Sequence, residues 1–292
     1  MTKARIVLCY VAIAGVAPYL LLKLIWTAGG TLGAADPTFL SEPVVRVGNA
    51  FTAFLDLVAI AVVLAFTYNW GQRIPAWLVL FPIWVGTGLL APIALSSPVI
   101  GFQLAVDPGD STELESWVHP MVYASFAWQG VTLLAAFVLY ARTRWPHVFT
   151  GVAARGPLGV LSGVGAVVAV VSGASRAWWV FDTDASVATR FLDGVEGVLI
   201  LAGAAAVLTL AGRRLRARFV LAWTGSAVMF AAGFWTVFTA VAMEADPSAL
   251  HLVLASVQAL GGVLLALGLL ATARDVAPER AFEPTREALA RG

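Results

Sequence analysis

Residues 47–68 read VGNAFTAFLDLVAIAVVLAFTY, an apolar run interrupted by one ionisable side chain, Asp56, near its middle. A helix needs about 20 such residues to cross roughly 30 Å of hydrocarbon, whereas strands of a membrane barrel are shorter and alternate polar with apolar positions. At about 1.5 Å per residue, Asp56 lies roughly 15 Å below the membrane surface. A free charge at that depth costs several kcal/mol, so this carboxyl must be protonated, paired or turned toward a polar space.

Working outward, comparable runs occur at 6–28, 76–100, 118–141, 157–180, 191–212, 219–243 and 251–272, which gives eight transmembrane helices. The first is no cleaved leader, because Lys23-Leu24-Ile25-Trp26 stands where a small-residue cleavage site would and seven more runs follow. Hydrophobic residues make up 60% of the 292 positions and charged ones 12%. Ordinary globular domains hold about 45–50% apolar and about 25% charged residues, so a soluble enzyme is the wrong class. A net charge of +1 offers no field for nucleic acid, and one cysteine, Cys9, rules out an intrachain disulfide or a thiolate metal cluster. The fold class is an all-α polytopic membrane protein whose obligatory partner is the lipid bilayer.

Fourteen of the 18 Lys and Arg fall in segments on one side of these spans, including Arg142, Arg144, the run Arg213, Arg214, Arg216 and Arg218, and the tail beyond 272. The positive-inside rule puts that side, with both termini, in the cytoplasm. The run at 213–218 reads as an anchor to anionic headgroups. The tail, 273–292, is polar and too short for a domain.

The rare polar and aromatic residues recur between the two halves. Lys23 followed by Trp26 matches Arg176 followed by Trp179, and Phe54-Leu55-Asp56 matches Phe191-Leu192-Asp193. His119 and His251 each precede an arginine, Arg142 and Arg274, by 23 positions, and Gly130 and Leu133 align with Gly262 and Leu265. This predicts a parallel tandem repeat of two four-helix units, 1–145 and 146–272, followed by the tail. The GxxxG element Gly159–Gly163, with Gly165 and Gly173, predicts close packing of the fifth helix. Pro18, Pro82 and Pro92 interrupt helices and mark bends.

Five charged residues are candidates for a site: Lys23, Asp56, Arg176, Asp193 and Glu196. Arg190 stands one turn before Asp193 and is expected to pair with it, leaving Glu196 without a close sequence partner. Lys23 and Arg176 lie near the outer ends of their helices, where they either snorkel to headgroups or, given duplication, face each other above the carboxylates. Such a constellation either binds a zwitterion, an anion or a lipid headgroup, or cross-braces the halves. His119, Tyr123, Gln129, His251 and Gln258 are possible polar lining. His119 and His251 open helices on one side, where imidazole either caps the interface or ligates a metal or haem; interfacial capping is preferred, so no metal or other cofactor is expected. The outer acidic segment with Asp107, Asp110, Glu113 and Glu115 lacks the spacing of a calcium loop.

The stretch Pro18-Tyr19-Leu20-Leu21-Leu22-Lys23-Leu24-Ile25-Trp26-Thr27-Ala28-Gly29-Gly30, with the Ala/Val/Leu/Gly/Arg bias of the chain, resembles uncharacterised multi-pass membrane proteins of high-GC actinobacteria. The resemblance implies no activity and no catalytic residue. Three functions remain open on these residues. One is a small-molecule carrier or binder with a polar cavity in the outer half of the bundle. Another is an enzyme acting on a lipid or isoprenoid through a carboxylate general acid, and the last is a structural or assembly partner.

Overall fold

A computed structural model of the chain describes residues 3–106, 113–146, 152–153, 159–209, 216–242, 249–274 and 276–277. Eight helices occupy most of them: α1 (Lys3–Thr27), α2 (Pro43–Thr67), α3 (Ala76–Val106), α4 (Val118–Arg144), α5 (Val160–Trp179), α6 (Val187–Leu208), α7 (Arg216–Ala242) and α8 (Ala249–Arg274). All eight are long and apolar enough to span a bilayer. Helix is the local solution because hydrocarbon offers no partner to backbone N–H and C=O groups, which must therefore bond within the segment. Asp107, Asp110, His147, Arg213, Arg214 and most of the tail lie outside the described residues. A two-residue antiparallel ladder pairs Val152–Ala153 with Val276–Ala277, joining the α4–α5 connection to the segment after α8.

Helix ends differ from the hydropathy runs where neighbours support extra turns. α3 runs to Val106 and takes in Pro98 as well as Pro82 and Pro92. α2 starts with Pro43, whose missing N–H is one of the donors a first turn leaves unbonded anyway. α6 starts behind Ser186, whose hydroxyl accepts from the Thr189 N–H at 3.1 Å.

Some helix pairings recur in the two halves, but α6 packs extensively on α7 whereas α2 meets α3 only lightly. α1 lies against α2 and α4 while α3 lies against α4; likewise α5 lies against α6 and α8 while α7 lies against α8. The halves meet chiefly through α3, which packs on α6 and α7. Across the α3–α7 seam, Trp84 Nε1 donates to Ser226 Oγ at 3.1 Å, and Trp223 Nε1 donates to Thr87 Oγ1 at 3.2 Å. Between these bonds, Gly88 lies so close to α7 that a Cβ there would stand 2.1 Å from the Ala227 carbonyl oxygen. The segments that meet, Trp84-Val85-Gly86-Thr87-Gly88 and Trp223-Thr224-Gly225-Ser226-Ala227, share a Trp-x-Gly-(Thr/Ser)-small pattern. Their likeness is hard to see in an Ala- and Val-rich background until the contact brings them side by side.

The expected role of Gly159 and Gly163 is corrected: a Cβ at either would meet nothing within 4 Å. The close approaches of α5 use Gly165, against Gly261 and Leu265 of α8, and Gly173, against Gly197 and Leu201 of α6. A small-xxx-small spacing shows where backbones can approach, not which face has a neighbour.

At the face bearing the even-numbered connections, Arg144 donates to the carbonyls of Gly71 at 2.9 Å and Ile74 at 2.5 Å and to the Tyr140 hydroxyl. Arg5 reaches Leu139 O at 3.1 Å and Thr143 Oγ1 at 2.5 Å. These arginines therefore tie connections and helix ends together in addition to carrying charge.

The opposite face is asymmetric. The α1–α2 connection, 28–42, folds back over the bundle: Leu40 packs with Leu22, Trp26 and Val118, Ala34 bridges to Leu114, and Trp26 Nε1 donates to Leu32 O at 2.8 Å. Within this cap Asp36 accepts from the Thr38 hydroxyl at 2.7 Å and the Thr38 N–H at 2.8 Å, which hold its carboxyl below the usual carboxylate value. Its contribution to the cap is present above the unfolded pKa and is lost as pH falls through the lower folded one. Thr38→Val should raise the Asp36 pKa toward its ordinary value in a carboxyl NMR titration, with little change in global stability because the site is exposed. The α5–α6 connection is shorter, 180–186, and leaves Phe181, Trp178 and Trp179 exposed.

Candidate functional site

The candidate ionisable residues gather into two clusters, one in each half, at the face that carries the α1–α2 and α5–α6 connections. In the first, Lys23 on α1 turns inward and does not snorkel. Its Nζ lies 2.8 Å from Asp56 Oδ2 on α2, with both side chains almost entirely buried. The ammonium also stands 3.9 Å from the Tyr19 ring centroid and 5.6 Å from that of Phe126. Gln129 on α4 is buried and donates to Ser125 Oγ at 3.3 Å. The ammonium is therefore met by a carboxylate and two π-faces, under the cap formed by residues 28–42.

The periodicity of α1 explains the inward turn. Val16, Leu20 and Lys23 recur at three- and four-residue steps on its buried face, so the lysine stem occupies a core position. A recess of about 10 Å³, with room for about one water, lies among Ala12, Val16, Ala59, Val63, Gln129, Thr132 and Leu133.

In the second cluster Arg176 on α5 serves two carboxylates of α6. Its Nη1 lies 2.7 Å from Asp193 Oδ1 and 3.1 Å from Glu196 Oε2. Asp193 and Glu196 are three residues apart and share a face, while Gly173 and Gly197 bring the two backbones together beside them. Arg176 also lies over the Trp179 ring at 5.6 Å. The expected pairing of Arg190 with Asp193 is not formed: among the described residues Asp193 pairs with Arg176, which approaches across the helix interface. Arg190 Nε is buried without a hydrogen-bond partner.

The clusters differ in exposure and in how fully they are satisfied. Side-chain exposures of 18%, 12% and 15% for Arg176, Asp193 and Glu196 contrast with 1% and 5% for Lys23 and Asp56. Glu196 Oε2 is near Arg176 but accepts no hydrogen bond, and Gln258 Nε2 on α8 is likewise buried and unpartnered. Buried polar atoms are nearly always hydrogen-bonded, so these exceptions call for an explanation.

The constellation expected to join all five charged residues in one cavity is thus divided between the halves. Lys23 serves Asp56, and Arg176 serves Asp193 and Glu196. Tyr123 lies instead on a groove of about 280 Å³ between α3 and α4, lined by Ser97, Gly101, Leu104, Ala105, Pro120, Ala124 and Ala127 as well. None of the three membrane carboxylates lines it. His119 and His251 lie in the first turns of α4 and α8. Among the described residues, no group of three His, Cys, Asp or Glu side chains converges on a metal position.

These features define an integral membrane protein of eight helices with two intramembrane ion-pair clusters. Comparison of the chain with known protein families, curated proteins and solved structures finds no match.

Proposed function

We propose that this protein is a membrane-embedded binder or carrier of a small polar solute, with the Arg176–Asp193–Glu196 cluster as its recognition site. The observation that carries this reading is Glu196 Oε2, which lies 3.1 Å from Arg176 Nη1 yet accepts no hydrogen bond, in a mostly buried cluster beside the short α5–α6 connection. A brace that only joined α5 to α6 would be expected to satisfy its own buried acceptors. The two halves are read as duplicated units, with the first retained as a sealed structural copy and the second used for binding. Under the positive-inside rule the site opens to the outside of a bacterial cytoplasmic membrane and both termini are cytoplasmic. The resemblance to actinobacterial multi-pass proteins is consistent with that setting.

Equilibrium binding to protein in phosphatidylcholine nanodiscs, with tritiated glycerol, glycine, ethanolamine and acetate as probes, tests the reading. At least one probe is expected to bind saturably to the wild type and about tenfold or more weakly to Glu196→Gln, with binding retained in Lys23→Met/Asp56→Leu. No saturable binding, or equal loss in both variants, would overturn it. The sealed Lys23–Asp56 cluster favours a second reading, a structural or assembly partner, which would then take precedence.

A further inference from the structure

The groove between α3 and α4 belongs to neither ion-pair cluster. It runs from Ser97 to Ala105 on α3 and from Pro120 to Ala127 on α4. At about 1.5 Å per residue these stretches are roughly 10–12 Å long, close to the roughly 15 Å of one leaflet's hydrocarbon. Ala105 and Pro120 stand beside the end of α3 at Val106 and the start of α4 at Val118. The groove therefore begins at the membrane boundary, on the face of the α1–α2 connection, and descends through one leaflet.

It opens toward the bilayer. Gly101, Ala105, Pro120 and Ala124 of its lining are exposed, as are the large apolar side chains Phe102 and Trp128 next to it. A Cβ built on Gly101 meets nothing within 4 Å, so the space there is left by a missing side chain and is not taken up by another helix. Walls facing an unfilled groove of about 280 Å³ would forfeit dispersion contacts, which an inserted chain restores. Lipid tails are as apolar as such a lining, so burial alone does not single out one lipid, and selection needs a polar contact as well.

Ser97 and Tyr123 are the polar members of the lining. The Ser97 hydroxyl is spent on the Ala94 carbonyl at 2.9 Å. The Tyr123 hydroxyl forms no hydrogen bond among the described residues. A helical side chain leans toward the N-terminus of its own helix, which for α4 is the membrane boundary. The phenol is thus directed toward the level of lipid ester groups, and a hydroxyl held at an apolar surface needs an acceptor there.

We infer that this groove is a binding site for a diacyl glycerolipid of that leaflet, with one acyl chain lying between α3 and α4 and an ester carbonyl accepting from the Tyr123 hydroxyl. The site is separate from the Arg176 cluster and does not depend on the binding role proposed above.

Native mass spectrometry of protein released from nanodiscs of equal diester and diether phosphatidylcholine, distinguishable by mass, tests the site. The wild type is expected to retain one phosphatidylcholine and to favour the diester by about five- to tenfold, the effect of one neutral hydrogen bond. Tyr123→Phe should retain lipid without that preference. Gly101→Leu fills the groove and should lose the lipid, whereas Gly48→Leu on α2, where a Cβ likewise meets nothing within 4 Å, should keep it. Neither new side chain meets a neighbour at its Cβ, so the Tm of both variants should stay close to that of the wild type. If Gly101→Leu fails to fold, the diester preference and its loss in Tyr123→Phe carry the test. No lipid retained by the wild type, or equal retention by the Gly101 and Gly48 variants, would show annular lipid only and overturn the site. Retention without a diester preference, or a preference unchanged in Tyr123→Phe, would overturn the ester contact and with it the glycerolipid assignment.

Discussion

Replacing Lys23 with methionine is expected to destabilise the protein by about 3–5 kcal/mol, the range found when one partner of a buried ion pair is removed. The loss comes mainly from what remains. Asp56 would keep its almost fully buried place below the cap with no cation at 2.8 Å. Asp56→Leu should be comparably harmful, because it leaves an ammonium between the Tyr19 and Phe126 rings without its counter-charge. The double variant Lys23→Met/Asp56→Leu should recover most of the stability, since an apolar pair of similar volume avoids the desolvation cost of both ions. Unfolding of all four proteins in one lipid or detergent system gives the coupling energy as a double-mutant cycle. Losses that simply add would show that the two side chains do not form a pair.

The second large effect is expected at the seam between the halves. Gly88→Leu places a Cβ about where the Ala227 carbonyl oxygen already stands, 2.1 Å away, and a backbone atom of a packed helix cannot swing aside. Overpacking of this kind typically costs about 1–3 kcal/mol and sometimes more. Here α3 and α7 would have to separate, which also stretches the Trp84–Ser226 and Trp223–Thr87 bonds. Gly86→Leu is the matched control, because a Cβ at Gly86 meets only a Leu133 methyl at 3.8 Å. Single Trp84→Phe and Trp223→Phe changes should cost less, about 0.6 kcal/mol each on the scale of interhelical hydrogen bonds in membranes. Equal stability of Gly88→Leu and Gly86→Leu would contradict the seam.

The two predictions concern features that were unequally legible in the chain. That Asp56 needs a partner followed from its depth in an apolar run, but the identity of the partner did not. Lys23 is 33 positions away and reads equally well as an interfacial anchor; only the closure of α1 on α2 and α4 turns it inward. Arg190 shows the reverse error: helical spacing nominated it for Asp193, yet Arg176 approaches from α5 and takes the carboxylate. Spacing ranks partners along one helix and is blind to a neighbour arriving from another.

Hydropathy and the charge bias, by contrast, sufficed for eight spans and for an expected orientation, since both express the cost of moving each residue from water into hydrocarbon. That cost is local and adds along the chain. Which residues share a site is a property of faces and distances between helices, and it was decided by packing. Packing separated the five charged residues into an almost fully buried pair and a slightly more exposed triad. It also left Glu196 Oε2 and Gln258 Nε2 without hydrogen bonds among the described residues, a contrast that no count of residues along the chain contains.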